Sequence, residues 1–264
     1  MHILSDSVES LLRDTARAVV LPRFRNLAAS EIEEKSPGDH VTIADRESEV
    51  RLYDGLSRIM PHARIIGEEA CAADPGVLDG INDGLVWLID PIDGTSNFAE
   101  GITPFGMMIA LLNDGAREAG WMFDPVANRM CHAMHGAGAY VDGKRIKARE
   151  TGSALPVAAL AMHFLPPQRR EELSGRATGK LDIVPIPRCA AEQYPRLALG
   201  QNDIALFERS LPWDHAAGAL FLEEAGGIIR RNDGSAYHVG DGRSGLLGAS
   251  SRRMWDTGAR ILFG

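Results

Sequence analysis

The chain has 264 residues, with 28 Lys and Arg against 36 Asp and Glu, a formal net charge of −8, and 45% apolar residues. Ordinary apolar content without a block of like charge excludes intrinsic disorder, and the acid excess argues against a nucleic-acid grip, which needs a basic patch. No apolar run approaches the roughly 18 residues of a membrane span, and Met1 to Ser10 carries Asp6 and Glu9 without a basic n-region, so neither a membrane anchor nor a signal peptide is expected.

In chain order, apolar residues at helical spacing (Val8, Leu11, Leu12, Thr15, Val19, Val20) predict an amphipathic helix over 6–20, with Asp6 and Glu9 as its capping box. A second helix is expected over 44–60, with Val50, Tyr53, Leu56 and Ile59 on one face and Pro61 just beyond its end. Short apolar runs follow at 64–66, 85–89 and 107–112. The last ends in the hairpin signal Asn113-Asp114-Gly115, and the runs at 120–123 and 130–134 continue an antiparallel sheet towards a turn at Asp142-Gly143. Strands are expected at 183–186 and 204–207, and a helix over 214–225 closed by Gly226-Gly227. Pro and Gly over 151–180 mark a boundary between two halves, about 1–150 and 151–264. Strands and helices intermix without regular alternation, which predicts mixed α/β (α+β) layers rather than a doubly wound sheet. Three distant cysteines (Cys71, Cys131, Cys189) form no Cys-x-x-Cys pair and no disulfide framework, and free thiols in the cytoplasm are expected.

The informative segment is Trp87-Leu-Ile-Asp90-Pro-Ile-Asp93-Gly-Thr-Ser96-Asn97-Phe98. An apolar strand runs out of the core and delivers two carboxylates three residues apart. Pro91 fixes one φ angle, Gly94 allows a sharp turn, and Gly94-Thr95-Ser96 begins a helix with Asp93 near its cap. Clustered carboxylates are costly unless a cation sits between them, and hard oxygen ligands suit Mg²⁺. The amides of a helix start can cradle a phosphate. Alone, Asp-x-x-Asp-Gly is more often an Asx turn. Two further apolar segments change that balance: Ile66-Gly67-Glu68-Glu69 ends in acids, and Pro212-Trp213-Asp214-His215 places an acid at the start of an apolar helix.

On these residues the sequence resembles the inositol monophosphatase family of Mg²⁺-dependent, lithium-sensitive phosphomonoesterases. Trp87 to Phe98 matches its first signature, and Pro212 to Gly218 followed by Leu222 to Gly227 matches its second. Gly67-Glu68-Glu69 and Asp39 to Asp45 match two further elements, in family order from Lys35 to Gly227. The resemblance implies a single domain spanning 1–264 with a layered α-β-α-β-α sandwich fold of the sugar-phosphatase type, and a homodimer.

It also implies roles. Glu68, Asp90 and the carbonyl of Ile92 would hold a first Mg²⁺; Asp90, Asp93 and Asp214 a second; Glu68 with waters a third. Asp45 with Thr95, and Glu68 beside them, would activate the attacking water, and the amides of Gly94 and Thr95 would bind phosphate. Asp93, Ala190, Glu208 and Asp214 would contact the alcohol. Lys35 would face the site or stay solvated, and Glu69 would tune the site or remain a solvated neighbour. His215 reads as a polar cap or surface residue outside the site, and Trp87 and Trp213 as core walls. Two departures touch alcohol recognition: Arg188 stands where the family has a small residue, and the spacer from Glu208 to Trp213 is one residue short. Arg188 reads either as a surface arginine or as a guanidinium fork for a second anion.

The expected activity is therefore hydrolysis of a small phosphorylated alcohol, inositol monophosphate first, with histidinol phosphate, 3′-phosphoadenosine 5′-phosphate and fructose 1,6-bisphosphate as alternatives. A non-catalytic phospho-ligand-binding regulator is the alternative class. No nucleic-acid or membrane partner is expected. Six acids at or beside one site account for most of the excess negative charge, whose field two or three bound Mg²⁺ would reverse.

Overall fold

A computed structural model describes residues 3–36 and 39–264. In chain order the elements are α1 (Ile3–Thr15), running through a π-helical turn (Ala16–Val20) into the short α2 (Leu21–Arg23); β1 (Ile32–Ser36); β2 (Asp39–Thr42); α3 (Ile43–Ile59); β3 (Arg64–Gly67); α4 (Glu68–Ala73); β4 (Leu85–Asp93); and α5 (Thr95–Ala99). Then come β5 (Gly106–Asn113), β6 (Ala116–Asp124), β7 (Arg129–Met134), β8 (Gly138–Val141), β9 (Lys144–Ile146) and β10 (Val157–Ala161). The chain continues with α6 (Pro167–Ala177), β11 (Asp182–Val184), α7 (Ala190–Ala198), β12 (Ile204–Phe207), α8 (Pro212–Glu224), β13 (Ile228–Arg231), β14 (Leu246–Ala249) and α9 (Arg252–Leu262).

Two main sheets organise these elements. Strands β3 to β9 form one in sequence order, parallel between β3 and β4 and antiparallel thereafter. The other has the order β11-β10-β12-β14-β13 and mixes parallel and antiparallel pairs. Period-two alternation assigns the two faces of β4. Trp87 and Ile89 join a core with Val8, Leu12, Leu52 and Leu56 of α1 and α3. Val86 and Leu88 join a second core with Tyr194 of α7 and Leu220 of α8, which also takes Phe207 and Leu246 from the smaller sheet. A third core seats Leu173 of α6 and Trp255 of α9 on that sheet's other face. The layers therefore run α-β-α-β-α. No helix among the described residues is long and apolar enough to cross a membrane.

Several local expectations change. Helix α1 begins at Ile3, so Asp6 lies in its first turn rather than at the cap, and Ser5 donates to Glu9 (3.2 Å). Helix α3 buries Asp45, Ser48, Glu49, Leu52 and Leu56, whereas Val50 and Tyr53 are 64% and 52% exposed. Its buried face carries carboxylates beside Leu52 and Leu56, and of the expected apolar stripe Leu56 and Ile59 reach the core. Helix α7 was not expected, because Pro195 inside it obscures the pattern. The turns at Asp114-Gly115 and Asp142-Gly143 form as expected, with positive φ at all four residues.

Candidate metal and phosphate site

The carboxylates converge because of strand register. In the parallel pair β3/β4, Gly67 lies opposite Ile89, so Glu68 and Asp90 follow at adjacent strand ends. Asp90 continues the alternation that puts Val86 and Leu88 on the α8 side of the sheet, and Asp214 stands in the first turn of α8. Acid oxygens of Glu68, Asp90 and Asp214 lie within 4.8 Å of one another. Past Asp90 the ladder shifts: Asp90 pairs with Met108 but Asp93 with Gly106, a bulge that falls where Pro91 has no N–H to donate.

Asp90 Oδ1 is buried with no hydrogen-bond partner. Burial, reinforced by Glu68, Asp93 and Asp214, pushes its carboxyl well above the usual range. An orphaned buried carboxylate oxygen among like charges is expensive, and a cation relieves both costs. The all-oxygen donor set fits a hard divalent ion.

Asp93 is held differently. Its Oδ2 accepts from the Ala191 amide (2.6 Å) and the Cys189 thiol (3.0 Å), 98 and 96 residues away, at the N-terminus of α7. Burial pushes its carboxyl up to about 6, against these donors. The tight carboxylate cluster does not include it. Gly94, not Asp93, caps α5, at φ +83°; a Cβ there would meet the Arg188 carbonyl and Cys189 Cβ at 3.2 Å and the Pro104 carbonyl at 3.3 Å.

Thr95 Oγ1 lies 3.1 Å from Asp45 Oδ1 and 2.8 Å from the Ile92 carbonyl, and its single proton can serve one of them at a time. The amide and hydroxyl of Thr42 both donate to Asp45 Oδ2, at 2.8 and 2.6 Å. Asp45 thus completes the capping box of α3 and still presents Oδ1 to Thr95. Burial, with Glu69 nearby, pushes it up to about 7 despite the Thr42 bonds. The side chain of Asp39, at the start of the matching motif, lies outside the described residues.

The acid side of the site has a support that the sequence reading missed. Glu49, one turn after Asp45 on the buried face of α3, accepts from the Glu69 and Ala70 amides at 2.8 Å each. It caps α4 and so sets the backbone that carries Glu68. The i, i+4 spacing of two acids on one face was the available signal. Lys35 faces the site, donating to Glu68 (2.8 Å) and Glu69 (3.0 Å). Burial disfavours its charge, but the two glutamates outweigh burial and raise its pKa.

A cavity of about 370 Å³ opens beside the cluster. Ala190, Glu208, Arg188 and Arg209 line it from the C-terminal half. Burial raises the Glu208 pKa against Arg169 and Asn232. His215 is buried, not at the surface. The Arg209 carbonyl can only accept, so Nε2 donates to it (2.9 Å) and Nδ1 accepts from Tyr194 Oη (2.8 Å). Burial drops its pKa to about 4, which keeps the ring neutral. Trp87 and Trp213 are buried core walls, as expected.

A layered sandwich with an oxygen-ligand cation cluster at strand ends, opening on a small-molecule cavity, defines the class: a metal-site hydrolase fold. The inositol monophosphatase family model matches residues 6–260, and the chain belongs to that family of phosphatases. An inositol-1-monophosphatase of Bacillus subtilis (strain 168) is 32% identical over 226 residues, 83% of each protein. The Nus factor SuhB of Escherichia coli (strain K12) is 34% identical over 222 residues, 80% of this chain and 79% of that one. The solved extragenic suppressor protein suhB of Bartonella henselae superposes with a TM-score of 0.83 at 24% identity, covering 99% of both chains.

Proposed function

We propose that the protein hydrolyses the phosphomonoester of a small polyol, with inositol monophosphate as substrate, by direct attack of water. The observation that carries this reading is the convergence of Glu68, Asp90 and Asp214 around an unpartnered Asp90 oxygen. These three residues would hold Mg²⁺, with the Ile92 carbonyl and Asp93 as adjoining ligands. Bound there, the ion neutralises the acids and lowers the pKa of water.

The chain's own groups do the rest. The amides of Gly94 and Thr95 orient the phosphate. Thr95 holds the attacking water and relays one proton to Asp45 Oδ1, which Thr42 leaves facing it. The water oxygen stays on phosphorus, the ester P–O bond breaks, and the departing oxygen takes a proton from solvent. Glu68 shares the water's second hydrogen bond. Ala190 and Glu208, with Asp93 and Asp214, contact the alcohol from the cavity wall.

Both halves wall one cavity, which supports reading the chain as a single domain. The same reading carries lithium inhibition, a cytoplasmic location and a homodimer. A complete set of acids and Thr95 favours an enzyme over a binding regulator. The test is phosphate release from inositol 1-phosphate with Mg²⁺. Wild-type protein is expected to turn over and Asp90→Asn to lose activity; wild-type release no greater than that of the variant sinks the proposal. Calorimetry of Mg²⁺ binding, expected to weaken in the same variant, reads the metal site without turnover.

A further inference from the structure

Arg188 departs from the family pattern at the cavity wall, and the structure gives it an unusual support. It lies at φ +54°, in the left-handed region that glycine occupies freely. Its guanidinium donates through NH2 to Asn97 Oδ1 (2.6 Å) and to Glu100 Oε2 (2.9 Å), and through NH1 to Glu100 Oε1 (3.4 Å). Asn97 is buried, and its own amide donates to the Pro104 and Pro187 carbonyls at 2.6 and 2.9 Å. Two carbonyls therefore dictate which way the Asn97 amide points, so its oxygen must face Arg188. The result is an arginine held in one orientation by a buried residue, with Nε–H and one NH1 hydrogen left over among the described residues. A second guanidinium, Arg209, lines the same cavity, lies over the exposed Phe164 ring (4.9 Å) and is 3.9 Å from Asp214. The cavity imidazole His163 feels both arginines. Glu208 lines that wall with them, the acids of the cation cluster and Asp93 lie deeper in the same cavity, and Glu100 pairs Arg188 from outside the lining.

A neutral polyol needs no fixed guanidinium beside its hydroxyls. We propose that this wall is a subsite for a second anionic group, with Arg188 as its specificity-determining residue. The preferred substrate is then a phosphomonoester whose alcohol carries a further phosphate or carboxylate. The inference rests on the phosphatase reading above and moves its preferred substrate from inositol monophosphate to a doubly anionic phosphomonoester. Glu100 acts as the resident counter-ion, holding Arg188 in place and competing with the ligand.

The test compares substrates that differ only in the second anion: fructose 1,6-bisphosphate with fructose 1-phosphate, and 2-phosphoglycerate with glycerol 2-phosphate. For the wild type, kcat/KM is expected to favour the doubly anionic member of at least one pair by about tenfold, the value of one good charged contact. Arg188→Gln is expected to collapse that ratio towards one, and Glu100→Gln to raise it a few fold. A purely structural ion pair would move the ratio the same way in both variants, and that outcome overturns the proposal, as does a wild-type ratio near one in both pairs. The pair that responds tells phosphate from carboxylate. Calorimetry of fructose 6-phosphate on the full-length protein without added metal reads the subsite separately. Binding that weakens about tenfold in Arg188→Gln supports it even if no ester, inositol 1-phosphate included, is cleaved; binding indifferent to that change refutes it while leaving the phosphatase reading intact.

Discussion

Asp90 and Asp93 leave the same strand three residues apart, and both are almost wholly buried. Asp90 faces Glu68 and Asp214 with one oxygen unpartnered, and its carboxyl lies well above the usual range. Asp93 is met by the start of α7, whose amides and Cys189 thiol hold its carboxyl to about 6. Burial and charge crowding act on both; hydrogen-bond donors separate them. The region left without donors is the one prepared for a cation, while the region supplied with them is already a finished structural joint between the two halves of the chain.

The largest expected effects test that contrast directly. Asp90→Asn is expected to lower kcat/KM by more than about a hundredfold, beyond the usual cost of an outer-sphere change. The same change relieves repulsion in the metal-free protein, and its Tm should rise by roughly 2–4 °C per kcal/mol relieved. Asp93→Asn is expected to lower activity by about ten- to a hundredfold but to lower Tm, because it weakens the bonds to α7. Melting curves moving in the same direction for both variants would break the comparison.

The pH dependence sharpens it. Asp45 and Glu49 are pushed up to about 7 and Asp93 to about 6 by burial. Between about pH 4 and 7 the native metal-free protein therefore binds more protons than the unfolded chain, so stability present below that range is lost as pH rises through it. Thermal melts should fall from pH 5 to pH 8 without metal, and Mg²⁺ should shrink the fall. A flat profile without metal would contradict the strained-carboxylate reading.

Two smaller effects probe the supports. A Cβ on Gly67 would lie 2.3 Å from the Glu49 carboxyl carbon, so Gly67→Ala is expected to destabilise by about 1–3 kcal/mol and to weaken Mg²⁺ binding by displacing Glu68, which titration calorimetry would register. Tyr194→Phe removes the donor to His215 and keeps the ring; it should cost about 1 kcal/mol in denaturant melts, with kcat nearly retained because the hydroxyl removed belongs to a residue outside the cavity lining.

The clustered acids Glu68, Asp90 and Asp214 were legible because each adjoins an apolar run, a pattern local enough to survive without tertiary information. Thr95 and Asp45 were legible for the same reason, through the turn and cap residues around them. The supports were not. Glu49 carries no apolar signal and drew no attention beside Val50 and Tyr53, which are exposed. Helix α7 was masked by Pro195, and with it went the donors to Asp93.

By itself the sequence determined the strand that carries Asp90 and Asp93, the turns, the layered class and the family, since these follow from periodicity, turn chemistry and local motif. Tertiary structure alone decided which buried acid keeps a free oxygen, that His215 is neutral and internal, and that Arg188 is clamped by Asn97 and Glu100. Those outcomes depend on hydrogen-bond partners 88 to 98 residues away in the chain, or on burial itself, and no local window contains either.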